Sequence, residues 1–154
     1  MLAWTGYVGH NKIARHRLLN EAASGADANS LEKIFTDGTA SRDLEVLSKL
    51  AKNPNTPLND LVHLYDFCKP NVAKSDPSEY PVLFSLARNP RTPPDILVVL
   101  ATCRPSSIRS AVARNPSTST KTLRQLTEDQ DGSVRTYAKS LLGSRKDNSK
   151  SPQE

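Results

Sequence analysis

The chain is short of the residues from which a closed globular core is usually built. Aromatic residues make up 5% of its 154 positions, only one tryptophan and one methionine are present, and all hydrophobic residues together reach 36%. Such a composition does not support a deep core enclosed on every side. It is adequate for a stack in which each unit buries one face against its neighbours. The longest apolar run, Ile96 to Ala101, falls far short of a membrane span, so no membrane partner is expected. Met1–Gly9 is apolar but lacks the basic start and cleavage site of a secretory leader. The two cysteines, Cys68 and Cys103, are too few and too unequally placed for a ligand pair, and read as thiols of a cytosolic protein. Cys-x-x-Cys, Gly-rich phosphate loops and Gly-x-Ser-x-Gly are missing, and His10, His16 and His63 form no i,i+4 pair. Hence no catalytic residue, no metal or cofactor and no small-molecule substrate is expected.

Charge is unevenly divided. Residues 1–100 carry 11 Lys+Arg and 11 Asp+Glu, whereas residues 101–154 carry 10 and 5, the whole of the net +5. A basic half beside a neutral half invites an acidic partner, nucleic acid included. Part of the excess (Arg145, Lys146, Lys150) lies near the C-terminus.

What the chain does have is one phrase three times over: Leu50-Ala51-Lys52-Asn53-Pro54-Asn55-Thr56-Pro57, Leu86-Ala87-Arg88-Asn89-Pro90-Arg91-Thr92-Pro93 and Val112-Ala113-Arg114-Asn115-Pro116-Ser117-Thr118-Ser119. Asn89 and Asn115 are 26 residues apart, Asn53 and Asn89 36 apart. A period in this range predicts stacked helical units. In the third copy Ile108, Ala111 and Val112 fall at i, i+3 and i+4 on one helix face. Asn115-Pro116 then stops the helix, since a residue before proline is driven from the α region and proline offers no N–H. Asn also tolerates the left-handed conformation common past a helix end, and its side chain is expected to be occupied locally. Thr118, Thr56 and Thr92 are expected as N-caps of the next helix, with Pro57 and Pro93 at its first position. That second helix carries Leu58, Leu61, Val62 and Tyr65, then Ile96, Leu97 and Leu100, then Thr122, Leu123 and Leu126.

The register continues into Val134, Tyr137, Ala138 and Leu141, where Asn-Pro is lost and Gly143 is expected to end the helix. The reading is therefore all-α: residues 1–43 as capping helices with a degenerate repeat (Trp4 and Tyr7 under a helix at about 12–23), residues 44–142 as repeats, and residues 143–154 as a disordered tail. The ten residues by which the first interval exceeds the second fall at about 67–80. They read as a loop on one face, where repeat proteins often place function.

The pattern from Ile108-Arg109-Ser110-Ala111-Val112-Ala113-Arg114-Asn115-Pro116 through Leu123 and Leu126 resembles the leucine-rich repeat variant family over about residues 44–142. The resemblance implies a short right-handed α-solenoid akin to HEAT and armadillo arrays. The iron–sulfur cysteine cluster of some members has no counterpart, so that cofactor is not implied.

Two sets of cations recur with the repeat. Lys52, Arg88 and Arg114 share one position, and Arg109 and Arg135 another; Arg91, Lys121 and Arg124 add to the basic surface. One reading is a stripe that binds an acidic partner or tracks phosphates. The other is helix-end chemistry, in which each cation complements the dipole and meets free carbonyls. No aromatic residue interleaves with these arginines in the sequence, which disfavours stacking of single-stranded bases. Asp129-Gln130-Asp131-Gly132 begins like a calcium loop but lacks the remaining ligands, and reads as an inter-unit turn. The expected function is a non-catalytic cytoplasmic scaffold binding another protein, with a nucleic-acid-binding solenoid as the alternative.

Overall fold

The computed structural model describes residue 20 and residues 43–72 and 80–148. The expected N-terminal caps, Trp4, Tyr7, His10 and His16, together with residues 73–79 and 149–154, lie outside the described residues. Within them the protein is all helical: α1 (Leu44–Lys52), α2 (Leu58–Val72), α3 (Tyr80–Arg88), α4 (Pro94–Leu100), α5 (Ser106–Arg114), α6 (Thr120–Leu126) and α7 (Gly132–Asn148), with no strand among the described residues.

Each helix begins and ends for a local reason. Asp43 opens α1 by accepting from the backbone N–H of Glu45 (3.0 Å) and Val46 (3.3 Å), satisfying donors that have no intrahelical partner. Asn53 and Asn115 close α1 and α5 in extended conformations (φ −68°, ψ 124° and φ −76°, ψ 126°). The left-handed turn expected there is not used, because the following proline already holds its predecessor extended.

The threonines correct a second expectation. Thr56, Thr92 and Thr118 do not cap the following helix. Their hydroxyls donate backward, to the carbonyls of Leu50 (2.6 Å), Leu86 (2.7 Å) and Val112 (2.6 Å). All three threonines are buried, and the bond gives each helix-end carbonyl a second partner beside the backbone N–H of Asn53, Asn89 or Asn115, at a place that water cannot reach. The cap position falls one residue later, at Pro93 for α4 and at Ser119 for α6, whose hydroxyl accepts from Thr122 N–H at 3.1 Å. Pro57 takes the same place before α2, its carbonyl accepting from Leu61 N–H.

Packing alternates. Helix α1 lies against α3, α3 against α5 and α5 against α7, while α2 packs on α3 and α4, and α6 on α7. The first helices of successive units thus form a row, with the second helices beside them. Equivalent positions fill the interior: Val46, Val82, Ile108 and Val134 are fully buried, as are Leu86, Val112 and Ala138. Truncating one of the large members to alanine would cost about 2–5 kcal/mol. In the second helices Ile96, Leu97, Leu100, Thr122, Leu123 and Leu126 are buried as expected. In α2 the inward face is Leu61, Leu64, Tyr65 and Cys68, and Leu58 stays half exposed.

Two boundaries differ from the sequence reading. Residues 67–72, read as the start of a loop, instead continue α2, which has 15 residues where α4 and α6 have 7 each. At the other end α7 runs through Gly143 to Asn148. Gly143 is no stop, and residues 143–148 are helical rather than tail.

Candidate functional site

Three neighbouring helices end on a cation: Lys52 closes α1, Arg88 closes α3 and Arg114 closes α5, all exposed. The asparagine after each one sets how these ends meet. Asn89 Nδ2 donates to the carbonyls of Ala51 (2.7 Å) and Asn53 (2.9 Å), the residues either side of Lys52. Asn115 Nδ2 repeats this on Ala87 (2.8 Å) and Asn89 (2.9 Å), either side of Arg88. Each amide therefore straddles the cation of the preceding unit. The side-chain oxygens act locally, accepting from the N–H two residues on at Asn55 (2.9 Å), Arg91 (2.9 Å) and Ser117 (2.8 Å). Only half of the asparagine chemistry is local; the nitrogens join units. With both donors and the acceptor engaged in a buried setting, helix ends and cation backbones are held in fixed register.

The side chains of Arg88 and Arg114 make no hydrogen bond or ion pair among the described residues. Each lies over an aromatic ring instead: Arg88 over Phe84, 5.6 Å from the ring centre, and Arg114 over Tyr137, at 4.7 Å. Among the described residues neither helix-end carbonyls nor acids neutralise them. Phe84 is one turn back on the same helix, and Tyr137 arrives from α7. Between the two arginines runs a groove of about 270 Å³ lined by Phe84, Arg88, Ser110, Ala111, Arg114 and Asn115. The groove has a simple origin. Ala111 stands one period before Tyr137, so the place filled by a ring under Arg114 is vacant beside Arg88.

The second set of cations is spent inside the protein. Arg109 occupies the position that holds the buried Leu47 and Leu83 in earlier units. Its Nε and Nη2 form a two-pronged ion pair with Asp129 (2.7 and 2.8 Å), while Nη1 donates to the carbonyls of Cys103 (2.9 Å) and Arg104 (2.6 Å). Both side chains are only 7% exposed. The guanidinium holds the Asp129 carboxyl below the usual carboxylate range, chiefly through this hydrogen bond, and Asp129 in turn holds the guanidinium charged. Arg135 repeats the carbonyl grip one period on, at Asp129 (2.6 Å) and Gln130 (3.0 Å). The Asp129–Gly132 segment is a turn, as expected, and it also does work: Asp131 caps α7 through Ser133 N–H at 2.8 Å. Of the eight cations singled out in the sequence, Arg109 and Arg135 thus face inward bonds. Arg91 in the α3–α4 turn and Lys121 and Arg124 on α6 are exposed but do not line the groove.

Nothing in the buried thiols and phenol suggests a nucleophile. Burial pushes the Cys103 thiol up to about 11 against the opposing pull of Arg109, and burial also raises Tyr65. Cys68 and Cys103 are both buried, and they are not joined in a disulfide. Among the described residues no group of three or more His, Cys, Asp or Glu is placed to hold a metal ion, and no helix is long and apolar enough to cross a membrane. Comparison with family models, with curated proteins and with solved structures returns no match.

Proposed function

We propose that the protein is a non-catalytic repeat scaffold, a short right-handed α-solenoid of the leucine-rich repeat variant kind with a period of about 26 residues, that binds an acidic segment of another protein. One observation carries this reading: Lys52, Arg88 and Arg114 end adjacent helices at equivalent positions, and the two arginines are presented on aromatic rings with no neutralising acid among the described residues. A guanidinium lying on a ring keeps its N–H edges directed outward, ready for a carboxylate. In a stack of repeats, affinity is spread along such a row rather than gathered in one deep cavity.

The second reading is a phosphate-binding solenoid, favoured by the basic excess of residues 101–154. Here the ring faces of Phe84 and Tyr137 are already covered by guanidinium groups, which leaves them poorly placed to stack on bases. The experiment is a pull-down from the native host with the wild-type chain and with Arg88→Glu/Arg114→Glu, alongside duplex DNA and RNA binding at low and moderate salt. A protein partner lost on charge reversal, with helicity retained, supports the scaffold. Nucleic-acid binding that falls steeply with salt, as release of counterions from about four to six phosphate contacts demands, transfers the assignment to the second reading.

A further inference from the structure

The proposed acidic partner need not be left unspecified, because the row has a pitch. Packing and hydrogen bonding set its main-chain step. The cations terminate helices that pack directly on one another, and packed helix axes lie about 8–10 Å apart. Small residues at the contact (Ala51, Ala87, Ala113, all fully buried) bring the helices close. The amides of Asn89 and Asn115 then hold the main chain around Lys52 and Arg88, so the step from one cation to the next does not drift. The rings beneath Arg88 and Arg114 restrict the guanidinium groups themselves.

A bound chain crossing the helix ends meets one cation per step. A β-strand advances about 3.3 Å per residue and alternates faces, so its same-face side chains recur at about 7 Å and then about 13 Å, and neither matches. A polyproline II segment has three residues per turn and rises about 3.1 Å per residue, so every third side chain returns to the same face after about 9 Å. That matches the helix spacing. We infer that the row binds a polyproline II segment of a partner protein carrying Asp or Glu at every third residue, with consecutive carboxylates on Arg88 and Arg114 and the intervening residues over the groove at Ser110 and Ala111. This inference rests on the scaffold reading above and gives it a ligand geometry. Such a segment is already extended when free, so little ordering is lost on docking.

The test uses the full chain and fluorescent peptides of defined sequence. One repeats Glu-Pro-Pro. The control carries the same number of glutamates at every second position, and a third probe is an oligothymidylate of equal charge. The every-third peptide is expected to bind about tenfold more tightly than the every-second peptide, since its second carboxylate reaches a cation without leaving the first. The preference should vanish in Arg88→Gln/Arg114→Gln, whose exposed substitutions leave the circular dichroism unchanged. It should be retained in Tyr137→Phe and diminished in Tyr137→Leu, which removes the ring under Arg114. Equal binding of the two peptides, both lost in the arginine variant, overturns the spacing and leaves the acidic-partner reading standing. Binding of neither peptide overturns the inference, and the pull-down then decides the scaffold reading separately. Oligothymidylate binding tighter than either peptide overturns both.

Discussion

Asn115 donates its side-chain amide to the main chain of Asn89, its own counterpart 26 residues earlier, at 2.9 Å. The same nitrogen serves Ala87 and the oxygen serves Ser117, so removing the side chain orphans the Ala87 carbonyl and the Ser117 N–H, and leaves the Asn89 carbonyl with the Thr92 N–H alone, at a site where Asn115 is 2% exposed. Asn115→Ala is expected to lower the free energy of unfolding by about 2–4 kcal/mol, given the cost of buried groups left without partners. Asn115→Asp should be worse, because it keeps the acceptor but turns a carboxylate oxygen toward two carbonyls. Urea denaturation of the pair checks this. An aspartate variant more stable than the alanine variant would mean the amide nitrogen does not face Ala87 and Asn89.

The Arg109–Asp129 pair makes an acid-limb prediction. Asp129 has its folded-state pKa depressed, with the Arg109 hydrogen bond as the leading cause. Its contribution is therefore complete above the unfolded carboxylate value of about 3.9 and is lost as pH falls through the lower folded value. Asp129→Asn should be less stable near neutrality, by about 3–5 kcal/mol because it leaves the Arg109 charge buried without its counter-ion. Its stability should also vary less with pH below about 4 than the wild type's. Asp131, lowered by the N–H of Ser133, still titrates in the variant, so some slope remains. Thermal unfolding between pH 2 and 7 measures both effects.

Thr118 and Ser119 are neighbours with opposite duties. The Thr118 hydroxyl faces back to the end of α5, and the Ser119 hydroxyl forward to the start of α6. Thr118→Val, which keeps the shape and removes the donor, should cost about 0.5–1.5 kcal/mol, since the buried Val112 carbonyl loses that bond and keeps the Asn115 N–H. Ser119→Ala should cost about 1 kcal/mol, the usual loss for an N-cap. Were Thr118 the cap, its penalty would appear as a frayed α6; hydrogen exchange should instead show faster exchange at the end of α5.

Gly143 sits inside α7, and a methyl group there would meet nothing within 4 Å. Gly143→Ala is expected to stabilise the protein by about 0.5–1 kcal/mol through the higher helix propensity of alanine. At a left-handed helix stop the same change would destabilise. A melting temperature that falls in this variant would restore the stop.

How much of this could be read in the sequence depended on whether the chemistry was local or between units. The helices, their inward faces at Ile108, Ala111 and Val112, and the break at Asn115-Pro116 follow from spacing and proline sterics within ten residues. The direction of the Thr118 hydroxyl is not legible in sequence, because a hydroxyl can serve the preceding carbonyls or the following amides, and only the turn geometry chooses. The amide bridges of Asn89 and Asn115 join residues 26–38 apart, which no local rule reaches. Tyr137 beneath Arg114 was invisible for the same reason. The inward fate of Arg109 did have a signal: aligned on the Asn-Pro phrase, it stands where Leu47 and Leu83 stand. A charge at a leucine position calls for a buried counter-ion, and Asp129 is the acid twenty residues on.

The interval between Asn53 and Asn89 differs by ten residues from that between Asn89 and Asn115, yet both are closed by the same pair of amide bonds. The clamp measures distance across the helix row and is blind to how much chain is spooled out on the way. Length added at the end of α2 is mechanically silent for the cation row. That segment is a natural grafting point, where a reporter loop or a second recognition element could be installed while Lys52 and Arg88 keep their mutual spacing.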